Sequence, residues 1–187
     1  MISLGKCLST YRTGAQKMTR FLEPLSSLLL RLLVARVFLL SGLTKWDGPF
    51  QFNTDKYDLF LYEFFCPDPP VPGALQLCSP ETLDYAEGSE TVSIIKGIAI
   101  TTGVLEVVLP VLLILGLFSR FSALALLFMT LFIQLAVFPT WDHWWNPAVW
   151  WAMSLFVILA NGPGIMSLDR WLGIEKPKLW CPGSVGL

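Results

Sequence analysis

Glu106 is the side chain in this sequence that most calls for chemistry. It sits in TGVLEVVLPVLLILGLFSR, residues 102–120, with no charge inside the apolar run to answer it. Thr102, Glu106 and Pro110 are spaced by four, so on a helix they share one face. Pro110 has no N–H, and the carbonyl of Glu106 therefore loses its intrahelical partner. One turn then presents a carboxyl group and an unpaired carbonyl, and both need donors.

An earlier apolar run, from about Leu25 to Thr44, can supply them. Arg31, Ala35, Phe38, Gly42 and Lys45 fall at steps of four and three and make one face, with small residues that allow close packing. Arg36 points about 140° away from Arg31 at 100° per residue. Its depth matches that of Glu106, so the two could pair directly. Arg31 lies nearer the inner end and can snorkel, and Lys45 stands at the outer rim. Gln134 and Thr130 add a polar face toward the outer half of a later run. His143, the only histidine, follows in the WDHWW turn.

Two readings of this constellation stand together. In the first it lines a polar pocket open to the outside, where Glu106 handles a proton or positions a polar headgroup. In the second it is a buried ion pair that holds two helices in register. Burial and a nearby arginine act on the carboxyl in opposite directions, so its protonation state stays open. No metal is expected, because nothing around His143 has ligand spacing.

The elements that must position these groups are membrane-spanning helices. Of the 187 residues 54% are hydrophobic and only 14% charged, against roughly 25% charged in a soluble domain. Mean hydropathy is +0.60. Four runs, at about 25–44, 97–117, 121–138 and 144–160, reach the roughly 17–25 residues that cross a bilayer. The fold class expected is an all-α membrane protein, a four-helix bundle with a long outer loop at 45–96. That loop carries short amphipathic helices: Tyr57, Phe60, Leu61 and Phe64 recur at helical spacing, which predicts a helix lying on the membrane surface, and SPETLDYAEG has the signature of a helix start. A basic segment, 1–24, precedes the membrane domain at 25–173, and a tail, 174–187, follows it. Ser167 is expected to cap a short segment in SLDRWLG.

Charge sets the direction. Residues 1–24 carry Lys6, Arg12, Lys17 and Arg20 against Glu23, whereas residues 45–96 hold nine acids and three lysines. The positive-inside rule puts both termini and the Arg120 turn in the cytoplasm. Trp46, Trp141, Trp144 and Trp145 then fall at the outer boundary, where aromatic rings anchor at headgroup level. No basic patch interleaved with aromatics points to nucleic acid. The partners expected are the bilayer itself and either another protein or further copies of this chain.

Cys66 and Cys78 flank PDPPVPGALQL on the outer, oxidising side. A structural disulfide between them could contribute about 3 kcal/mol. The sharper reading is a pair that exchanges with a partner thiol, although the spacing is far from C-x-x-C.

Taken together, LLRLLVARVFLLSGLTKW, YEFF followed by prolines, GVLEVVLPVLLILGLFSRFSALALLFMTLFIQ and NGPGIMSLDRWL resemble the DoxX family of bacterial membrane proteins. The resemblance covers about residues 28–173. It implies a multi-pass protein of the cytoplasmic membrane associated with redox complexes or with thiol chemistry. It also implies that Arg31, Lys45 and Glu106 are the leading site residues. Arg36 stands where the family usually has an apolar or aromatic residue. Two functions are therefore carried forward. One is a redox-associated subunit with a quinone or thiol partner, and the other is a non-catalytic anchor or assembly partner for another protein. No haem, flavin or nicotinamide signature is present, so cofactor chemistry would come from a partner or a bound quinone.

Overall fold

Apolar runs that cannot give their backbone groups to water must close their own hydrogen bonds, and so they become helices. The computed structural model describes residues 4–78 and 88–175. It opens with α1 (Leu4–Leu43), a helix of 40 residues that passes through Pro24. A hairpin follows, β1 (Trp46–Gly48) with β2 (Gln51–Phe52), and sets Trp46 opposite Phe52. α2 (Thr54–Asp58), capped by Asn53, runs on into π-helical turns at Leu59–Phe65. α3 (Glu90–Leu115) starts on a Ser89 cap and carries Pro110. It ends at Gly116, whose φ of +69° is the left-handed conformation that glycine adopts without strain. α4 (Ser119–Phe132) leads into π-helical turns at Ile133–Val137. α5 (Trp141–His143), α6 (Val149–Asn161) and α7 (Leu168–Trp171) complete the described chain.

Among the described residues three helices are long and apolar enough to cross a membrane: Thr10–Leu43, Glu90–Leu115 and Ser119–Val137. The run expected as a fourth span, 144–160, is interrupted. Asn146, with φ −148° and ψ 91°, leaves helical geometry just before Pro147, where an extended residue is favoured. Only the 13 residues of α6 continue it as α-helix. The first run differs in the other direction, since the basic segment expected ahead of it is helical and continuous with it.

α3 packs along α1 and against α4, while α6 packs on α4 and α1. Val34, Phe38, Leu109, Leu113, Leu126 and Leu155 meet in the centre, and Phe38 meets Trp151 edge-on at 6.0 Å. Outward-facing positions remain apolar. Phe128 and Leu135, for example, are 70% and 73% exposed, as suits a surface in contact with lipid rather than water.

The outer loop is folded onto this frame. Phe60, Leu61 and Phe65 form a second core with Val92, Ile95 and Ala99 of α3. The expectation of an amphipathic helix lying on the membrane surface is thereby corrected, because its apolar face is covered by α3. The π-helical turns bring Phe65 onto that face as well. Cys66 and Cys78 form a disulfide, and both cysteines are buried. The helix expected at SPETLDYAEG lies outside the described residues, as do the tail from residue 176 onward and Cys181.

Candidate functional site: a buried Lys45–Glu106 pair

Lys45 is positioned by the end of α1. Its backbone N–H bonds the Gly42 carbonyl at 3.0 Å as the helix closes. Its Nζ then donates to Glu106 Oε2 and, at 3.2 Å, to Ser41 Oγ. The lysine is 8% exposed and the glutamate 4%. Two glycines make the meeting possible. A Cβ on Gly42 would stand 2.8 Å from the backbone C and O of Glu106. A Cβ on Gly103 would stand 2.9 Å from the Phe52 ring and 3.5 Å from Lys45 Cδ. The helices therefore approach closely enough for the lysine stem to lie between them, with Phe52 above it.

The hairpin roofs the pair. Asn53 N–H bonds the Lys45 carbonyl at 2.9 Å. Phe52 meets Trp46 edge-on at 5.4 Å and Tyr57 at 4.6 Å. The arrangement is an ammonium and a carboxylate under an aromatic cover, taken out of water between two apolar helices.

Lys45, not Arg36, thus answers Glu106. The predicted Arg36–Glu106 pairing is corrected by helix phase. α1 turns its small residues, Ala35 and Gly42, toward α3, and Arg36 lies exposed on a different side of the helix. The freed carbonyl of Glu106 meets the backbone of Gly42 rather than a basic group.

Arg31 belongs to a separate cluster at the opposite end, fourteen residues or about 21 Å along α1 from Lys45. It is fully buried. Its guanidinium donates to the Met166 carbonyl and, at 3.5 Å, to the Leu113 carbonyl. Asp169 supplies a nearby negative charge. Its carboxylate accepts from Phe118 N at 2.7 Å and Ser119 N at 2.9 Å, and so caps α4 from a distant part of the chain. Ser27 Oγ donates to the Pro163 carbonyl at 2.9 Å. Arg120 closes the same end, bonding the Leu159 carbonyl and, at 2.5 Å, Glu175. Asp169 was not among the expected site residues. The signal lies in SLD, an acid five residues after a GPG break, but its target is fifty residues away.

Gln134 and His143 form a third group. Gln134 lies in the π-helical turns after α4, and its Nε2 donates to the carbonyls of Phe138 at 3.0 Å and Thr140 at 2.9 Å. The amide oxygen is left facing His143 Nδ1 at 2.6 Å. His143 therefore carries its proton on Nδ1 and presents Nε2 as an acceptor. Burial holds the imidazole below the ordinary histidine value of 6.5, which keeps it neutral at pH 7. Beside Gln134 lies a cavity of about 480 Å³ lined mainly by Leu131, Leu135, Pro139, Trp141 and Trp144.

The six residues expected in one pocket are thus distributed. Lys45 and Glu106 meet, Gln134 and His143 meet, Arg31 braces the opposite end, and Arg36 is exposed. Among the described residues no cluster of three His, Cys, Asp or Glu side chains could hold a metal.

Apolar helices of spanning length, with charged side chains drawn inward and paired between them, define a helical membrane protein. Within that class the chain belongs to the DoxX family, whose match covers residues 26–139. The matched part contains Arg31, Lys45, the disulfide, Glu106 and Gln134, and leaves out His143 and Asp169. No curated protein and no solved structure matches the chain.

Proposed function

We propose that this protein is a redox-associated subunit of the bacterial cytoplasmic membrane, and that its Lys45–Glu106 site takes a quinone-type headgroup. In this reading the chain crosses four times, α6 with its preceding turns being the fourth crossing of a four-helix bundle. Both termini are cytoplasmic, and the hairpin and disulfide loop lie outside. A protein partner or further copies of the chain complete the redox unit.

The observation that supports the reading is the pair itself. Taking two charges out of water costs several kcal/mol per ion, and an apolar pair of similar volume is often as stable or more so. A pair kept at this cost, beneath rings on a short hairpin, suits a site that exchanges one hydrogen-bond partner for another. A quinone carbonyl accepts from an ammonium, and its ring stacks on aromatic faces of the kind Phe52 and Trp46 present. Thiol exchange is the weaker form of the redox reading, because Cys66 and Cys78 are both buried and exchange needs access to sulfur.

Titration of purified protein with a short-chain ubiquinone, read by tryptophan fluorescence, tests the proposal. Saturable binding that is lost in Glu106→Gln and Lys45→Met, with the fold retained, is the expected result. Absence of saturable binding to the parent protein overturns it.

A second reading, a non-catalytic anchor or assembly partner, draws on the outer loop. Leu75 N–H bonds the Ala136 carbonyl at 2.7 Å and Leu77 N–H the Phe65 carbonyl at 2.9 Å. The loop is therefore closed on itself, tied to the turns after α4 and packed on α3, and it forms a shaped acidic surface. One dominant soluble protein brought down from detergent extract would favour this reading.

A further inference from the structure

The first helix is too long for the membrane. Its 40 residues span about 60 Å, whereas a bilayer core is about 30 Å thick. Ser27 Oγ ties α1 to the Pro163 carbonyl. Between residues 10 and 26 only Ala15 and Pro24 are even partly covered. This stretch also lies outside the DoxX match, which begins at residue 26. Something other than the family fold has to account for it.

Its sequence is sorted by face. Tyr11, Ala15, Met18, Leu22 and Leu25 recur at steps of four and three and form one apolar stripe. Tyr11 is 77% exposed, and Phe21, on the flank of the stripe, 75%. At 100° per residue Arg12, Lys17 and Arg20 lie about 100–180° from the stripe's centre. The first acid in the chain is Glu23. Broad apolar on one side and basic on the other is the composition of a helix that lies in the plane of an anionic bilayer surface.

Pro24 has the right placement to turn the helix there. Proline removes the bond to the carbonyl of Arg20 and pushes that carbonyl away, so the helix opens on the proline side. Pro24 lies about 140° from the centre of the stripe. Opening that side bends the N-terminal half toward the stripe. The stripe is continued by Leu29 and Leu32, both exposed on the span, and so on its lipid-facing side. A bend toward lipid rotates the stripe of residues 11–22 up against the bilayer and leaves the three cations on the water side, at the level of the phosphates.

We propose that residues 4–24 form an interfacial helix hinged at Pro24, which lies along the bilayer face from which the first span starts and recognises anionic lipid headgroups. A second copy of the chain is the less suitable occupant. Steps of four and three also describe a coiled-coil seam, but every charge ahead of Glu23 is basic, so a facing copy would meet like charge and no countercharge. The proposal rests on the chain being a membrane protein and is independent of the quinone reading.

The test uses the full chain in vesicles, with Cys7→Ser and Cys181→Ser and the Cys66–Cys78 bridge intact. Spin labels are placed at Met18→Cys, on the stripe, and at Gln16→Cys, on the polar face. In phosphatidylcholine with one quarter phosphatidylglycerol, the Met18 label should be accessible to oxygen and shielded from a water-soluble nickel chelate. The Gln16 label should show the reverse. The Met18 shielding should fall several-fold in pure phosphatidylcholine, and equally when Arg12, Lys17 and Arg20 are all changed to Gln. Equal nickel access at both positions in every vesicle overturns the proposal, since the helix then projects into water. Shielding of Met18 from both reagents also overturns it, because a protein surface is then covering the stripe.

Discussion

Gly42 lies flat against the backbone of Glu106, so close that a methyl group at its Cα would sit 2.8 Å from the glutamate's carbonyl carbon and oxygen. The contact is backbone against backbone, and no side chain can swing aside to relieve it. Gly42→Ala should therefore push α1 and α3 apart and cost about 1–3 kcal/mol, the usual range for overpacking. A denaturant titration in mild detergent micelles checks this. An unchanged midpoint would mean that the helices are not held at this distance.

The ion pair should respond asymmetrically to mutation. Lys45→Met alone leaves a buried carboxylate facing Ser41, and Glu106→Leu alone leaves a buried ammonium. Each should cost about 3–5 kcal/mol. The double variant, which buries neither charge, should recover most of that loss. If the two single losses simply add, Lys45 and Glu106 do not act as a pair. A double variant that is stable but no longer binds quinone would separate a binding role from a structural one.

Asp169 should behave as a remote helix cap. Asp169→Ala removes the acceptor for the Phe118 and Ser119 N–H groups and takes a negative charge from the neighbourhood of Arg31. Leaving a buried donor unsatisfied costs about 1–3 kcal/mol. Asp169→Asn, which keeps one acceptor oxygen, should fall between the alanine variant and the parent. Hydrogen exchange would place the damage in the first turn of α4, and uniform destabilisation would contradict the cap.

The end of the molecule that holds His143 should weaken in acid. Burial holds the His143 pKa below the unfolded value of 6.5. As pH falls the unfolded chain takes up the proton first, so the contribution from neutral His143 is present above about pH 6.5 and is lost as pH drops through the lower folded value. Melting curves between about pH 7.5 and 5 should show this slope. His143→Asn, which does not titrate and can still donate to Gln134, should flatten it.

Arg36 should be dispensable to the pair. It is exposed and stands among lipid-facing leucines, so Arg36→Leu should leave stability equal or higher, given the roughly 2.5–3.5 kcal/mol that a central arginine costs on insertion scales. A loss of more than about 1 kcal/mol in the same titration would place Arg36 inside the bundle's support.

The helices were legible because apolar length is a one-dimensional property. The need of Glu106 for a cation was legible too, from its residue type alone. Which cation would come was harder to read. Arg36 matched it in depth, but Ala35 and Gly42 set the face that α1 turns inward, and a lysine stem reaches about one helical turn. Asp169 was hidden for another reason: its acceptors lie across fifty residues, and no local spacing announces a cap delivered from so far away. The outer loop was misjudged because an apolar face at helical spacing looks alike whether lipid or α3 covers it.

The two ends of the molecule are fastened in different ways, and this gives it a polarity of motion. At one end Arg31, Asp169 and Ser27 bind backbone groups, so loosening it means unravelling helix ends. At the other, the Lys45–Glu106 pair, the rings of the hairpin and the second core on α3 hold the helices chiefly through side chains, whose partners can change without undoing any helix. The two ends thus differ as a rivet differs from a clasp, one fixed in the backbone and the other closed by side chains.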